Sequence, residues 1–287
     1  MKRLLNASED RTFRELLHVT SKENLAVFAK VRLADVLPIE NSGIDPDLFS
    51  YALKAHFDFV VATKAHDPVF AVEFDGVMHS TAGQIERDAK KNALCERFRF
   101  PLLRINSNHL SHRYNDRTLL AWIIEVYQMQ EAFYEAQQNG AVPPDEPFDP
   151  FFIIACGTAK REAFPYWISR RSRLRMHKLH EQGKVHDFGS SGIIWRDKSN
   201  VMRGIEYIRV TPTHGLSVGS AMRSQYFPIV LSDLVDELLT IFMMERIDKY
   251  LAGEVPLEAI QPIYDRINAV NKSETVLRAH SVGGKPT

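Results

Sequence analysis

Two stretches decide the fold: His56-Phe57-Asp58-Phe59-Val60-Val61 and, with its acid fifteen residues further on, Val69-Phe70-Ala71-Val72-Glu73-Phe74-Asp75-Gly76. Each is a short run of aromatic and β-branched residues bounded by polar ones, the pattern of a buried strand. If Phe57 and Phe59 face one side of the first strand, Asp58 faces the other. Glu73 and Asp75 share a face of the second by the two-residue period. A carboxylate in an apolar strand is costly unless it is paired or metal-bound. A short turn between the strands therefore predicts that Asp58, Glu73 and Asp75 converge.

Crowded carboxylates repel unless a cation sits among them, and oxygen ligands suit Mg²⁺ or Mn²⁺. Such an ion polarises a phosphate and lowers the pKa of an attacking water, as phosphodiester hydrolysis requires. Just beyond, Gly83 to Phe98 has helical periodicity, with Gln84, Asp88 and Lys91 on one face at i, i+4 and i+7. That face is placed to supply a cation and a polar group. Glu86 and Lys90 form an i, i+4 pair that would support any exposed helix, and Arg87 and Asp88 fit either a role in holding the helix or one in touching substrate.

Working outward, the spacing predicts a helix from about Ser8, a strand from Leu25 to Leu33 and a short helix from Asp47 to Lys54. After the central strands and helix come a strand from Pro101 to Ile105 and a helix from Asp116 to Gln138. Helices alternating with strands in this way predict a mixed sheet flanked by helices. The stretch 139–150 contains four prolines. Proline fixes φ and removes a donor, so a linker is expected there, dividing residues 1–138 from a second domain at 151–279.

The segment from Asp58 through Glu73-Phe74-Asp75-Gly76-Val77-Met78-His79, Gln84 and Arg87-Asp88-Ala89-Lys90 to Pro101-Leu102-Leu103-Arg104-Ile105 resembles restriction-endonuclease-like bacterial domains of unknown function. These are related to the very-short-patch-repair endonucleases within the PD-(D/E)xK superfamily. Val27 to Leu37 is similar to that group's first strand, and the resemblance spans roughly residues 8–106. It implies an αβββαβ nuclease core, with Asp58 and Glu73 as metal ligands and the Phe74 carbonyl as another. It also implies that His79 is the histidine following the acidic strand, and that Asp10 or its neighbour Glu9 is the acid of the first helix. Asp75 departs from the general pattern, standing where many members carry lysine. The cationic role is left open between Lys90 and Lys91. On residue chemistry alone, His79 also fits a turn cap, and Asp10 a helix acid favoured by the macrodipole.

The second half predicts another α/β domain: a strand at Phe151 to Ala155, a basic helix near Phe164 to His180, strands at Gly192 to Trp195 and Ile205 to Val210, and helices at Ser232 to Leu251 and Leu257 to Asn268. Residues 280–287 read as a frayed tail. Arg170, Arg171, Arg173, Arg175 and Lys178, interleaved upstream with Phe164, Tyr166 and Trp167, are the best candidates for a phosphate-contacting surface. The alternative is a solvated helix face. The helix at 232–251 is apolar around most of its circumference, which suits its own core or a subunit interface.

Composition limits these readings. Lys plus Arg equals Asp plus Glu, 36 against 36, so nucleic-acid contact must come from local patches. The two cysteines, Cys95 and Cys156, make neither a disulfide framework nor a zinc site. The absence of a long apolar run predicts a soluble, cytoplasmic chain with no membrane partner. The expected function is a Mg²⁺- or Mn²⁺-dependent nuclease acting on nucleic acid, DNA before RNA, in genome defence or repair. The second domain would choose substrate, a protein partner or self-association. The alternative is a non-catalytic nucleic-acid-binding or assembly subunit that keeps the nuclease-like fold.

Overall fold

The computed structural model describes residues 3–21, 24–75, 82–153 and 163–281. The chain forms two compact units: Met1–Phe148 together with Gln225–Ile229, and Asp149–Ser224 together with Val230–Thr287. The division falls inside the proline-rich stretch. The return of five residues to the first unit was not anticipated.

In the first unit, α1 (Ala7–Thr20) opens on a reciprocal cap in which Asn6 accepts from the Glu9 backbone and Glu9 accepts from that of Asn6. Strands β1 (Leu25–Arg32), β2 (His56–Thr63) and β3 (Pro68–Phe74) pair antiparallel in sequence order. Between β1 and β2, Pro46 starts the short helix α2 (Pro46–Ala52) under an Asp45 cap. Helix α3 (Ala82–Arg97) then crosses over so that β4 (Leu102–Ile105) lies parallel to β3. A sheet with one parallel edge and a crossover helix is mixed α/β, as expected.

Phe57 packs in the cluster of Leu33, Leu94, Phe100 and Leu102, whereas Phe59 stacks on Phe13 of α1. The two phenylalanines thus fill different clusters rather than one. Beyond β4 come α4 (Asn108–Ser111), the hairpin strands β5 (Arg113–Tyr114) and β6 (Arg117–Thr118), and α5 (Leu119–Gln138). Asn115 and Asp116 turn that hairpin with positive φ, so α5 begins three residues later than the sequence suggests, on the Thr118 cap. The edge of β4 is completed by Gln225–Ile229. Tyr226 accepts from the Leu102 amide, Gln225 bonds both backbone groups of Arg104, and Phe227 buries its ring against Phe70 and Tyr127.

The second unit begins with a single helical turn, Pro150–Phe152, capped by Asp149, where a strand was expected. Residues 154 and 155 of that expected strand lie outside the described residues. Helix α6 (Arg170–Glu181) starts six residues later than anticipated, because Phe164 takes a left-handed φ that no helix accommodates. Strands β7 (Ser191–Arg196), β8 (Val201–Arg209), β9 (His214–Arg223), β10 (Glu258–Ala259) and β11 (Thr275–His280) form an antiparallel sheet in the order β10-β9-β8-β7-β11. β9 and β11 were not foreseen, and His280 belongs to β11 rather than to a frayed tail.

Helix α7 (Leu231–Leu251) lies on this sheet and is buried in the unit's own core, with α8 (Ile260–Ser273) following it. A side chain at Gly204 would collide with Leu239 of α7, so glycine there sets how closely helix and sheet approach. No helix among the described residues is long and apolar enough to cross a membrane.

Candidate active site

Asp58 on β2 and Glu73 on β3 are interlocked through each other's backbone. Glu73 accepts from the Asp58 amide at 3.0 Å, and Asp58 accepts from the Phe74 amide at 3.0 Å. Two carboxylates are thereby fixed side by side where the strands pair. Glu73 is buried, and that burial, with Asp58's charge adding to it, pushes its pKa above the usual carboxylate value despite the opposing pull of Lys91.

Lys91, of the two lysines left open, belongs to this pair. Its ammonium lies 2.7 Å from Glu73, donates to the His56 carbonyl at 2.8 Å and stands over the Phe57 ring. Lys90 points elsewhere, to Asp47 at 2.6 Å and Glu86 at 2.9 Å. The i, i+4 helix pair read from the sequence is thus present, and it takes Lys90 out of the site.

Sequence reasoning missed Lys30. On β1, opposite Asp58, it bridges Asp58 and Glu9 at 2.7 Å each. Burial works to lower its pKa, but the hydrogen bonds to Asp58 and Glu9 outweigh it and hold the ammonium charged. Its φ is +55°, left-handed backbone within a strand, where a non-glycine residue stores on the order of 1 kcal/mol of strain. Of the two first-helix acids considered, Glu9 reaches the site, while Asp10 pairs with Arg14 on the surface.

Asp75 does not join Asp58 and Glu73. Arg104 of β4, aligned with Glu73 in the parallel pairing, lies 3.1 Å from Asp75 and 3.2 Å from Asp88. Among the described residues, Asp58, Glu73 and Asp75 are not a group whose ligand atoms all lie within 4.8 Å of one another. The expectation of three converging acids is therefore corrected to two. The buried guanidinium has turned the third toward itself. Asp88 also accepts from Gln84, which in turn accepts from Arg87, so Gln84, Arg87 and Asp88 form a scaffold along α3. An arginine within Leu102-Leu103-Arg104-Ile105 was the sequence signal that this strand faces acids. His79 lies outside the described residues.

A cleft of about 350 Å³ opens beside Lys91, lined by Tyr51, Lys54, Ala55, His56, Gln84, Arg87, Asp88 and Lys91. Burial, then the charges of Glu73 and Asp88, push the Tyr51 phenol up to about 12, so it stays a neutral donor and bonds the Arg87 carbonyl. With three cationic side chains on its wall, the cleft suits an anionic group. Around it five carboxylates, Glu9, Asp58, Glu73, Asp75 and Asp88, share three cations, Lys30, Lys91 and Arg104.

In the second unit the basic cluster is thinner than its sequence suggests. Arg173 lies against Asp236 and Glu237, and Arg175 against Asp248 at 2.5 Å. Arg171 and Lys178 are exposed on α6, and half-buried Arg170 lines a pocket of about 420 Å³ with Trp167, His177 and Phe188.

Fold and site together define a mixed α/β unit with a buried carboxylate–lysine centre beside a cationic cleft. Residues 1–120, which contain that centre, match the family described as "Protein of unknown function (DUF2726)". No curated protein and no solved structure matches the chain.

Proposed function

We propose that the first unit has a restriction-endonuclease-like core and is a divalent-metal-dependent nuclease acting on nucleic acid, DNA before RNA. The observation that carries this reading is the interlocked pair of Asp58 and Glu73 with Lys91 on Glu73. Two carboxylates on adjacent strands fit a hard dication such as Mg²⁺ or Mn²⁺. Asp58 and Glu73 would hold the ion, which when bound polarises a phosphate and acidifies water. Lys91 then faces the charge that develops on the phosphate, in a site with little water to screen it. Lys54 and Arg87 draw the nucleic-acid backbone into the cleft. Lys30 must release Asp58 before that oxygen can take a metal, which makes it a gate as well as a counter-ion. A bacterial role in defence or repair follows only by analogy with similar cores.

A second reading rests on the same ion pairs. Asp58, Glu73 and Asp75 each already have an internal cation, as a non-catalytic nucleic-acid-binding or assembly subunit would need. The two readings part when the full chain, Asp58→Asn and Glu73→Gln are incubated with plasmid, linear duplex, single-stranded DNA and RNA, with Mg²⁺ or Mn²⁺, alongside Mn²⁺ calorimetry. Cleavage by wild type alone, with Mn²⁺ heat weakened in both variants, supports the nuclease. Equal cleavage by all three identifies a contaminant and removes the catalytic claim. Nucleic-acid binding without cleavage or Mn²⁺ heat favours the subunit.

A further inference from the structure

A second charged centre lies inside the other unit, and the nuclease reading makes no use of it. Along β8 the even positions Met202, Gly204, Glu206 and Ile208 are buried. Glu206 is fully buried at a position where the alternation calls for an apolar residue. Across the sheet, Glu206 pairs with Gly192 of β7, and Gly192 pairs with His280 of β11, so the three form one row. Gly192 carries no side chain. A Cβ there would collide with the Ile205 carbonyl and stand 2.9 Å from Glu206 Cγ. The missing side chain is what lets Glu206 and His280 meet across the intervening strand.

Helix α7 closes the group with Asp236. The His280 Nε2 atom lies 3.3 Å from Glu206 Oε1, and its Nδ1 lies 3.5 Å from Asp236 Oδ1. These are the only described histidine, cysteine and acidic residues whose ligand atoms gather within 4.8 Å of one another in a group of three or more. Glu206 Oε2, Asp236 Oδ1 and His280 Nε2 are buried without a hydrogen-bond partner. The 3.3 Å and 3.5 Å contacts draw both acids toward His280 electrostatically without the alignment of hydrogen bonds. Orphaned buried polar atoms are rare in a folded core, and each calls for an explanation.

The surroundings orient these side chains as a ligand's second layer does. Thr240 donates to Glu206 Oε1 at 3.2 Å. Arg173 and Arg278 both approach Asp236 Oδ2, leaving Oδ1 turned toward His280. Arg278 also holds Asp233, and Ser169 with Arg173 holds Glu237. Four carboxylates therefore face two guanidiniums, a deficit of two positive charges.

We propose that Glu206, Asp236 and His280 bind a first-row transition-metal dication, Zn²⁺ before Mn²⁺, which ties edge strand β11 to β8 and α7. One imidazole nitrogen with two carboxylate oxygens suits such an ion better than Mg²⁺ or Ca²⁺, which favour oxygen alone. Bonds of about 2.0–2.2 Å place neighbouring ligands roughly 3.0–3.5 Å apart; an ion takes one ring nitrogen, so the carboxylate facing the other nitrogen must close in from within the 4.8 Å that gathers the three ligand atoms. A dication also matches the charge deficit. Three protein ligands leave a coordination position for water.

The test is Zn²⁺ titration of chelator-treated full chain by calorimetry, with hydrogen exchange at Val276 to Ala279 as second readout. Wild type and Glu73→Gln are expected to bind one Zn²⁺ each at this centre, because Glu73 lies in the other unit, and Zn²⁺ should slow exchange along β11. Glu206→Gln, His280→Ala and Gly192→Ala should each weaken binding at least tenfold and abolish that slowing. If Glu73→Gln takes up no Zn²⁺, or if His280→Ala and Glu206→Gln bind as wild type does, the proposal is overturned. Should the variants fail to fold, Zn²⁺-dependent exchange in Glu73→Gln still decides: no slowing at β11 overturns the site.

Discussion

Lys30 and Lys91 each hold a carboxylate at 2.7 Å, yet the two bridges differ in worth. Lys91 and Glu73 are 9 % and 10 % exposed, so Lys91→Met strands a buried carboxylate and should cost about 3 kcal/mol in urea unfolding. Lys30 is 39 % exposed, and water screens its pairs to about 1 kcal/mol or less. Its backbone gives a sharper test. In an ordinary strand glycine is about 0.5–1 kcal/mol worse than alanine, but at +55° alanine is strained and glycine is not. Lys30→Gly should therefore unfold at higher urea than Lys30→Ala. The opposite order would show that no strain is stored there. Asp58 and Glu73 were legible because an acid amid aromatic and β-branched residues stands out. Lys30 was not, since a left-handed residue within a strand leaves no mark in hydrophobic periodicity. Glu206 could have been found: it interrupts the buried phase of its strand, just as Asp236-Glu237 interrupts the apolar run of α7.

At the scale of elements, the long periodic segments α1, α3, α5 and α7 and the hydrophobic strands β2 to β4 were all readable. β9 was not, because its glycines and serines carry little strand preference. It exists through continuous pairing with β8 from Val201 to Arg209. β11 is mostly exposed on an edge, and its apolar Val276 and Leu277 are adjacent rather than alternating, so no two-residue period announces it. The short helix α4 carries a pH-sensitive feature. Burial pushes the His109 imidazole down to about 4, Nδ1 faces the Asn106 amide, and Nε2 has no partner. The unfolded chain takes up a proton near pH 6.5 while the folded one still resists it. The stabilisation is therefore full above that pH and is lost as pH falls toward 4. Wild type should lose about 2–3 kcal/mol more than His109→Leu between pH 7.5 and 4.5. Parallel losses in the two proteins would refute the assignment.

At the scale of the whole chain, the proline-rich stretch marked where one unit gives way to the next, but nothing marked the return of Gln225–Ile229. Five residues between a strand and a helix have no periodicity of their own, and their role lies in long-range pairing. Phe227 is 5 % exposed against Phe70 and Tyr127, so Phe227→Ala should destabilise the first unit by about 3–4 kcal/mol. A fragment of residues 1–148 should melt lower than the same unit in the full chain, and a peptide covering 222–232 should restore part of the difference. A fragment as stable as the intact unit would show that the excursion is decoration.

That excursion also sets a clock. During synthesis the nascent first unit waits for some eighty further residues before its last edge is covered, roughly 4–16 s at ordinary ribosomal speeds. Through that interval the amides of Leu102 and Arg104 lack the partners that Gln225 and Tyr226 later supply, and an uncovered sheet edge is a template for any passing strand until residue 229 has emerged.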